Sequence, residues 1–322
     1  MRDKLGVCQW FHYRDYKGLD QAIETMNELG VRLLRTGVSW ADYYRPGGKE
    51  WYDDQMKALA DFDVLLSVWH TPPSISQGNS CNSPPKRLKD YADFIDLLIT
   101  HYAGAFHHLE LWNEPNNRLK WDFPDFDAQW KQFGEMIGYA AHWAKHRKQS
   151  TVLGGMIPVD HHWLNLMRAY GVLQYIDVVA IHAFPGMWWP GQPNWDWHSH
   201  WQGWDAKISY IAAHAKRPIW ITETGLATWD LSRHRPAKHD LQVQMLEEAA
   251  AAPADRVYWY SLIDLDPQRE AIEGFHVDEN EYHMGLVTFE GARKDAFYRF
   301  KELLAEDALT QELADDADVT SA

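Results

Sequence analysis

The chain reads as an α/β fold, a single (β/α)8 (TIM) barrel. Short apolar runs alternate with longer amphipathic stretches from one end to the other, and the alternation counts to eight. Continuous alternation of this kind implies a parallel sheet covered by helices. The 322 residues, 46% of them hydrophobic, suit one barrel domain. Eight units without a reversal of strand order favour closure, and an open doubly wound sheet is the alternative.

The units follow in order. Residues 5–10 read as a strand and 17–30 as a helix, with Leu19, Ile23, Met26 and Leu29 at helical spacing. Strand 31–36 precedes a short helix, 53–61, and strand 64–69 precedes helix 84–102, whose face carries Tyr91, Phe94, Ile95, Leu97 and Leu98. Strand 109–112 leads to helix 126–146, and strand 151–156 to helix 161–170. Strand 176–181 is rich in β-branched residues, as expected of a strand buried on both faces. Helix 205–215, strand 219–222, helix 238–252, strand 257–262 and helix 294–305 complete the set. Residues 1–305 therefore form the barrel, and the acidic stretch 306–322, poor in large apolar residues, reads as a disordered tail.

Three post-strand segments are longer than plain connections: 71–85, 184–204 and 264–284. On a barrel each lies at the C-terminal face, where active sites are built.

Composition narrows the function. A formal net charge of −15 excludes a nucleic-acid partner, which requires clustered Lys and Arg. Cys8 and Cys81 give neither a disulfide framework nor metal-ligand spacing. No stretch approaches the roughly 18 apolar residues of a membrane span, and the N-terminal apolar run is too short for a signal-peptide core, so the chain reads as cytoplasmic with no membrane partner. Eighteen tryptophans are unusual. Some must fill the core; others have the flat apolar face that stacks on sugar rings.

The chemistry concentrates at two strand ends. His108-Leu-Glu-Leu-Trp-Asn-Glu-Pro-Asn116 is an apolar strand running into Glu114, where Pro115 stops the ladder. Pro218-Ile-Trp-Ile-Thr-Glu-Thr-Gly225 is another, ending in Glu223. Cleaving a glycosidic bond takes one carboxyl group to protonate the leaving oxygen and a second to stabilise or attack the anomeric carbon. Two glutamates at strand tips on one barrel rim supply that pair.

On these residues the sequence resembles glycoside hydrolase clan A. It looks most like family 39, with its β-xylosidases, and next like family 5. In that clan an Asn-Glu pair ends strand four, with the Glu as acid/base, and the nucleophilic Glu ends strand seven, matching Glu114 and Glu223. The resemblance implies a retaining hydrolase that cleaves a β-glycosidic bond in an oligosaccharide or glycoside by double displacement, with no cofactor. It also implies a raised pKa for Glu114 and a depressed one for Glu223.

Further positions match the clan. Arg35 falls at the end of strand two, where an Arg bonds the nucleophile; a barrel-core ion pair is the other reading. His70 follows strand three, as a substrate contact or a satisfied core histidine. Asn113 corresponds to the residue that binds the sugar 2-hydroxyl, and Trp259 to the tryptophan that floors the sugar subsite. Strand six ends Ala180-Ile-His-Ala-Phe184, with Phe184 where the clan often has tyrosine. Either Tyr260 or another hydroxyl takes that role, or Glu223 is held by Arg35 and His182 alone. Six tryptophans fall within 187–204, of which Trp188 and Trp189 are the candidates for sugar stacking. Around His198-Ser-His200 no carboxylate or Cys completes a ligand pattern, so no metal is expected. Two other readings use the same residues: a transglycosylase or polysaccharide-biosynthesis enzyme, and a non-catalytic carbohydrate-binding barrel.

Overall fold

Eight parallel strands close into one barrel in the computed structural model, which describes residues 1–118, 120–184, 203–269 and 279–306. They are β1 (Leu5–Cys8), β2 (Leu33–Ser39), β3 (Asp63–Trp69), β4 (His108–Leu111), β5 (Ser150–Met156), β6 (Val178–His182), β7 (Ile219–Thr224) and β8 (Arg256–Tyr260). β1 pairs with both β2 and β8, which closes the sheet. A helix follows each strand: α1 (Tyr16–Leu29), α2 (Gly48–Ala58), α3 (Lys89–His101), α4 (Lys131–His146), α5 (His161–Ala169), α6 (Trp204–Ala215), α7 (His239–Ala251) and α8, residues 295–306. The acidic stretch 307–322 and the tryptophan-rich segment 185–202 lie outside the described residues. Among those described, no helix is long and apolar enough to cross a membrane.

Local chemistry explains the elements. α1 starts where Asp15 accepts from the Gly18 amide at 3.0 Å and stops at Gly30, whose φ of 79° suits glycine. Its Leu19, Ala22, Met26 and Leu29 are buried against the sheet. α2 starts five residues before its expected beginning because Pro46-Gly47-Gly48 reads as a turn. Gly48 is there for another reason: a Cβ at this position would meet the Asp42 carbonyl oxygen at 2.1 Å. β2 runs on to Ser39 rather than ending near Arg35, and β7 runs through Glu223 to Thr224.

The N-terminal end of the barrel is plugged by aromatic and charged side chains. His108 packs edge-on to Trp220 at 4.8 Å, and Arg256 lies over the same indole at 4.7 Å while pairing with Asp63 at 2.8 Å. Inward positions of all these strands are filled, as a barrel core requires.

Burial holds two histidines neutral, His108 in this plug and His70 just past the opposite, C-terminal end of β3. Burial lowers the His70 pKa from 6.5 to about 4, against the opposing pull of Asp42 and with a smaller push from Lys120. Burial and Arg256 lower His108 to about 4 as well, against the opposing pull of Asp63. The unfolded chain takes up these protons below about pH 6.5, the folded chain only below about 4. Stability is therefore complete above pH 6.5 and is lost as pH falls through that window. The fully buried His70 alone accounts for roughly 3 kcal/mol at the acid end. Thermal unfolding at pH 7.5, 5.5 and 4.5 should show a falling midpoint with a shallower fall in His70→Gln; a flat profile would exclude neutral burial.

Candidate active site

β4 ends at Leu111, and the backbone then turns sharply. Trp112 and Glu114 both adopt left-handed conformations, with φ of 74° and 46°, which costs a non-glycine residue on the order of 1 kcal/mol or more each. Several contacts hold the turn in place. The Trp121 indole N–H lies 2.8 Å from the Asn113 carbonyl oxygen and 3.0 Å from that of Glu114. Asn116 donates to the Pro158 carbonyl at 2.7 Å and accepts from the Ile157 amide at 3.0 Å. Gly154 leaves room for the turn, since a Cβ there would sit 1.8 Å from the Trp112 carbonyl oxygen.

A register shift delivers the second glutamate. β7 slips against both neighbours between Ile221 and Thr224. Trp220, two residues before the slip, packs its ring inside the barrel on His108, and the slip turns Glu223 inward too. A bulge beside an active site commonly re-aims a side chain in this way.

The two carboxylates are buried and share one imidazole. Nδ1 of His182, the last residue of β6, lies 2.9 Å from Glu114 Oε1 and 3.3 Å from Glu223 Oε2. Facing two carboxylate oxygens, this nitrogen is the one that carries the proton. The ring fits only because β5 has glycine beside it: a Cβ on Gly155 would sit 1.8 Å from His182 Nε2. Glu114 Oε2 also accepts from the Asn117 amide at 2.8 Å and from Lys120 Nζ at 3.0 Å.

Arg35 is the hub, fully buried as the third residue of β2 and not at its tip. Nη1 donates to Glu223 Oε1 at 2.5 Å, Nη2 to Asn113 Oδ1 at 2.7 Å, and Nε to Glu110 Oε2 at 2.8 Å. The guanidinium lies over the Trp10 ring at 4.7 Å. Burial opposes its charge, but Glu110 and Glu223 more than offset that and raise its pKa. Cys8 Sγ stands 3.4 Å from Nη1 and 3.9 Å from Glu223 Oε1.

The sequence-predicted residues divide into four groups. Glu114, Glu223, Arg35, Asn113 and His182 converge on one cluster. His70 touches it at one remove: its Nδ1 lies 3.3 Å from Ser39 Oγ, and its ring packs at 5.6 Å on Trp121, the residue that clamps Glu114. Trp259 points elsewhere. It pairs in register with Val7, while Tyr260 pairs with Cys8, whose side chain faces Glu223. Alternation along the pleat therefore places Tyr260 on the inward face and Trp259 against the outer layer, 1% exposed. Trp188 and Trp189 lie outside the described residues.

Glu110, Cys8, Asn117 and Lys120 complete the cluster without having been singled out from sequence. Glu110 had a legible signal: a carboxylate inside an apolar strand, two residues after His108, whose ring packs inside the barrel. The Glu114 carboxyl departs from its expected direction. Burial alone pushes it up, but Lys120 and the His182 contact together hold it below the usual carboxylate range.

Among the described residues, Glu114, His182 and Glu223 present donor atoms that all lie within 4.8 Å of one another. Three such donors can grip a cation, but Lys120 and Arg35 already contribute positive charge to the same carboxylates. The arrangement is that of two buried carboxylates across a narrow gap, each held by its own set of donors.

No family model and no curated protein matches the chain. Solved structures do. A family 39 glycoside hydrolase from the gut symbiont Bacteroides cellulosilyticus WH2 aligns with a TM-score of 0.65 and 14% identity, over 92% of this chain and 62% of its own. For a β-galactosidase from the psychrophilic Marinomonas ef1 the values are 0.62 and 15%, over 97% and 60%. For GH5_18 from Bifidobacterium longum they are 0.68 and 16%, over 95% and 79%. The chain thus spans less than two thirds of the length of the first two. At these identities the likeness is one of fold: the chain is similar in fold to the (β/α)8 glycoside hydrolases, families 39 and 5 of clan A among them.

Proposed function

We propose that the protein is a retaining β-glycosidase in which Glu223 attacks the anomeric carbon and Glu114 serves as acid and then base. One observation carries the reading: an oxygen of Glu114 and an oxygen of Glu223 lie within 4.8 Å of each other at the C-terminal ends of β4 and β7. Retaining enzymes hold their carboxyl groups about 5–5.5 Å apart, whereas inverting enzymes leave about 6.5–9.5 Å for a water. A gap this narrow favours attack by the carboxylate itself.

The division of labour follows from the partners. Arg35 keeps Glu223 anionic and aimed, as a nucleophile needs. Glu114 rests on a turn with exchangeable donors, as a group that cycles its proton needs. In the first step Glu114 gives its proton to the glycosidic oxygen while Glu223 bonds to the anomeric carbon. In the second, ionised Glu114 takes a proton from water, which displaces Glu223. We assign the sugar platform to Tyr260 rather than Trp259, because Tyr260 shares the inward face of Cys8.

The test is a panel of 4-nitrophenyl β-glycosides, including the xyloside, with the first-formed sugar followed by proton NMR. The β-anomer should appear first and mutarotate later. An α-anomer would make the enzyme inverting, and a folded protein that turned over no β-glycoside would favour a binding barrel.

A further inference from the structure

Three histidines meet on the covering layer of helices, apart from the carboxylate cluster. His161 and His162 open α5, where Asp160 caps the helix by accepting from the His162 amide at 2.8 Å. His214 lies in the last turn of α6. Both other rings touch that of His161: its centroid is 3.9 Å from that of His162 and 4.4 Å from that of His214. Nδ1 of His161 is hydrogen-bonded to the hydroxyl of Tyr210, which stands one turn before His214 on α6. His162 is exposed, and His161 and His214 are half-buried. Among the described residues neither the His162 nor the His214 ring has a hydrogen-bond partner.

Neutral imidazole nitrogen is the commonest protein ligand of zinc, copper and nickel. We propose that His161, His162 and His214 form a binding site for a divalent transition cation of the zinc class, which clamps α5 to α6. The site goes beyond the glycosidase reading and does not depend on it. His161 binds through Nε2, because Tyr210 holds Nδ1. A bond from the second ring nitrogen to a neighbouring oxygen is how metal-bound imidazoles are oriented. Zinc–nitrogen bonds of about 2.0–2.1 Å set tetrahedral donors roughly 3.4 Å apart, a spacing the ring separations already approach. The rings of His162 and His214 are inclined to that of His161 by only 38° and 24°, face to face, so the three do not aim at a common centre as they stand. Rotation of the two untied side chains turns their nitrogens toward the ion, and water takes the fourth position. The helices are already joined beside it, since Arg168 of α5 donates to the His214 carbonyl. The ion therefore has a structural role, with Glu223 on β7 inside the barrel taking no part.

Glu114, His182 and Glu223 are a second set of clustered donors, and the experiment separates the two. Calorimetric titration of the full chain with zinc chloride at pH 7.5 should show an equivalent of zinc that excess magnesium does not displace. His162→Ala and His214→Gln should each weaken that binding by roughly 10-fold or more, and Tyr210→Phe by about 10-fold, the scale on which an orienting partner acts. Zinc should also raise the Tm of the unaltered chain, with a smaller rise in the same variants. Glu223→Gln should keep both effects. Cobalt(II) in place of zinc should give the intense visible bands of a four-coordinate site, a signature that ring packing does not produce and that needs no variant. Zinc bound as tightly by the His162 and His214 variants as by the unaltered chain, or lost in Glu223→Gln, would place the ion elsewhere and overturn the assignment. Absence of zinc binding at micromolar concentrations would reduce the three rings to packing.

Discussion

Glu223→Gly should lower kcat on an activated aryl β-glycoside by roughly 10^4-fold or more, the scale on which loss of a covalent nucleophile acts. Removing the side chain opens the space within 4.8 Å of Glu114 that the carboxylate filled. Azide can enter that space and attack the anomeric carbon directly, in a single displacement. Added azide should therefore restore product as the α-glycosyl azide. Glu114→Ala differs, because its nucleophile is intact: the glycosyl-enzyme forms when the leaving group is good, and azide then releases a β-azide. Opposite anomers from the two variants would fix both roles. Near-normal rates in both would end the assignment.

Arg35→Met should be the most damaging change to stability. It strands Glu110 and Glu223, both of which Arg35 contacts at 2.5 Å inside the barrel. Removing one partner of a buried ion network typically costs about 3–5 kcal/mol, because the remaining charge is left without a counter-ion. For a chain of this size that is a fall in Tm of roughly 6–15 °C. Arg35→Lys keeps the charge but not the fork that reaches Glu110, Asn113 and Glu223 together, so it should fall between. Adding Glu110→Gln to Arg35→Met should recover part of the stability and none of the activity, since Glu223 still lacks the guanidinium that aims it. A Tm change below about 2 °C in Arg35→Met would show that the network contributes little.

The outline of this fold was legible because barrel strands are short, apolar and regularly spaced. All eight expected strands form, and the two strand-end glutamates meet through His182. What escaped is instructive. The expectation at Trp259 failed by one residue because strand residues alternate between faces, and the sequence of β8, Arg-Val-Tyr-Trp-Tyr, has aromatics on both. Lys120 and Asn117 were missed because they lie in an irregular turn, where no period links position to direction. The Gly154-Gly155 pair reads as strand weakness. In the fold these glycines are the room that the Trp112 carbonyl and the His182 ring require.

Arg35 also has a timetable. Its partners lie 75 residues away, at Glu110, and 188 residues away, at Glu223. At about 5–20 residues per second, synthesis brings out Glu223 roughly 10–40 s after Arg35. Glu110 emerges well before it and can neutralise the guanidinium while the barrel is still open. Glu223 becomes the second counter-ion only when β7 and β8 add to the sheet. Glu223 is thus the last member of this cluster to be synthesised, and the finished cluster exists only in a chain that has closed its barrel.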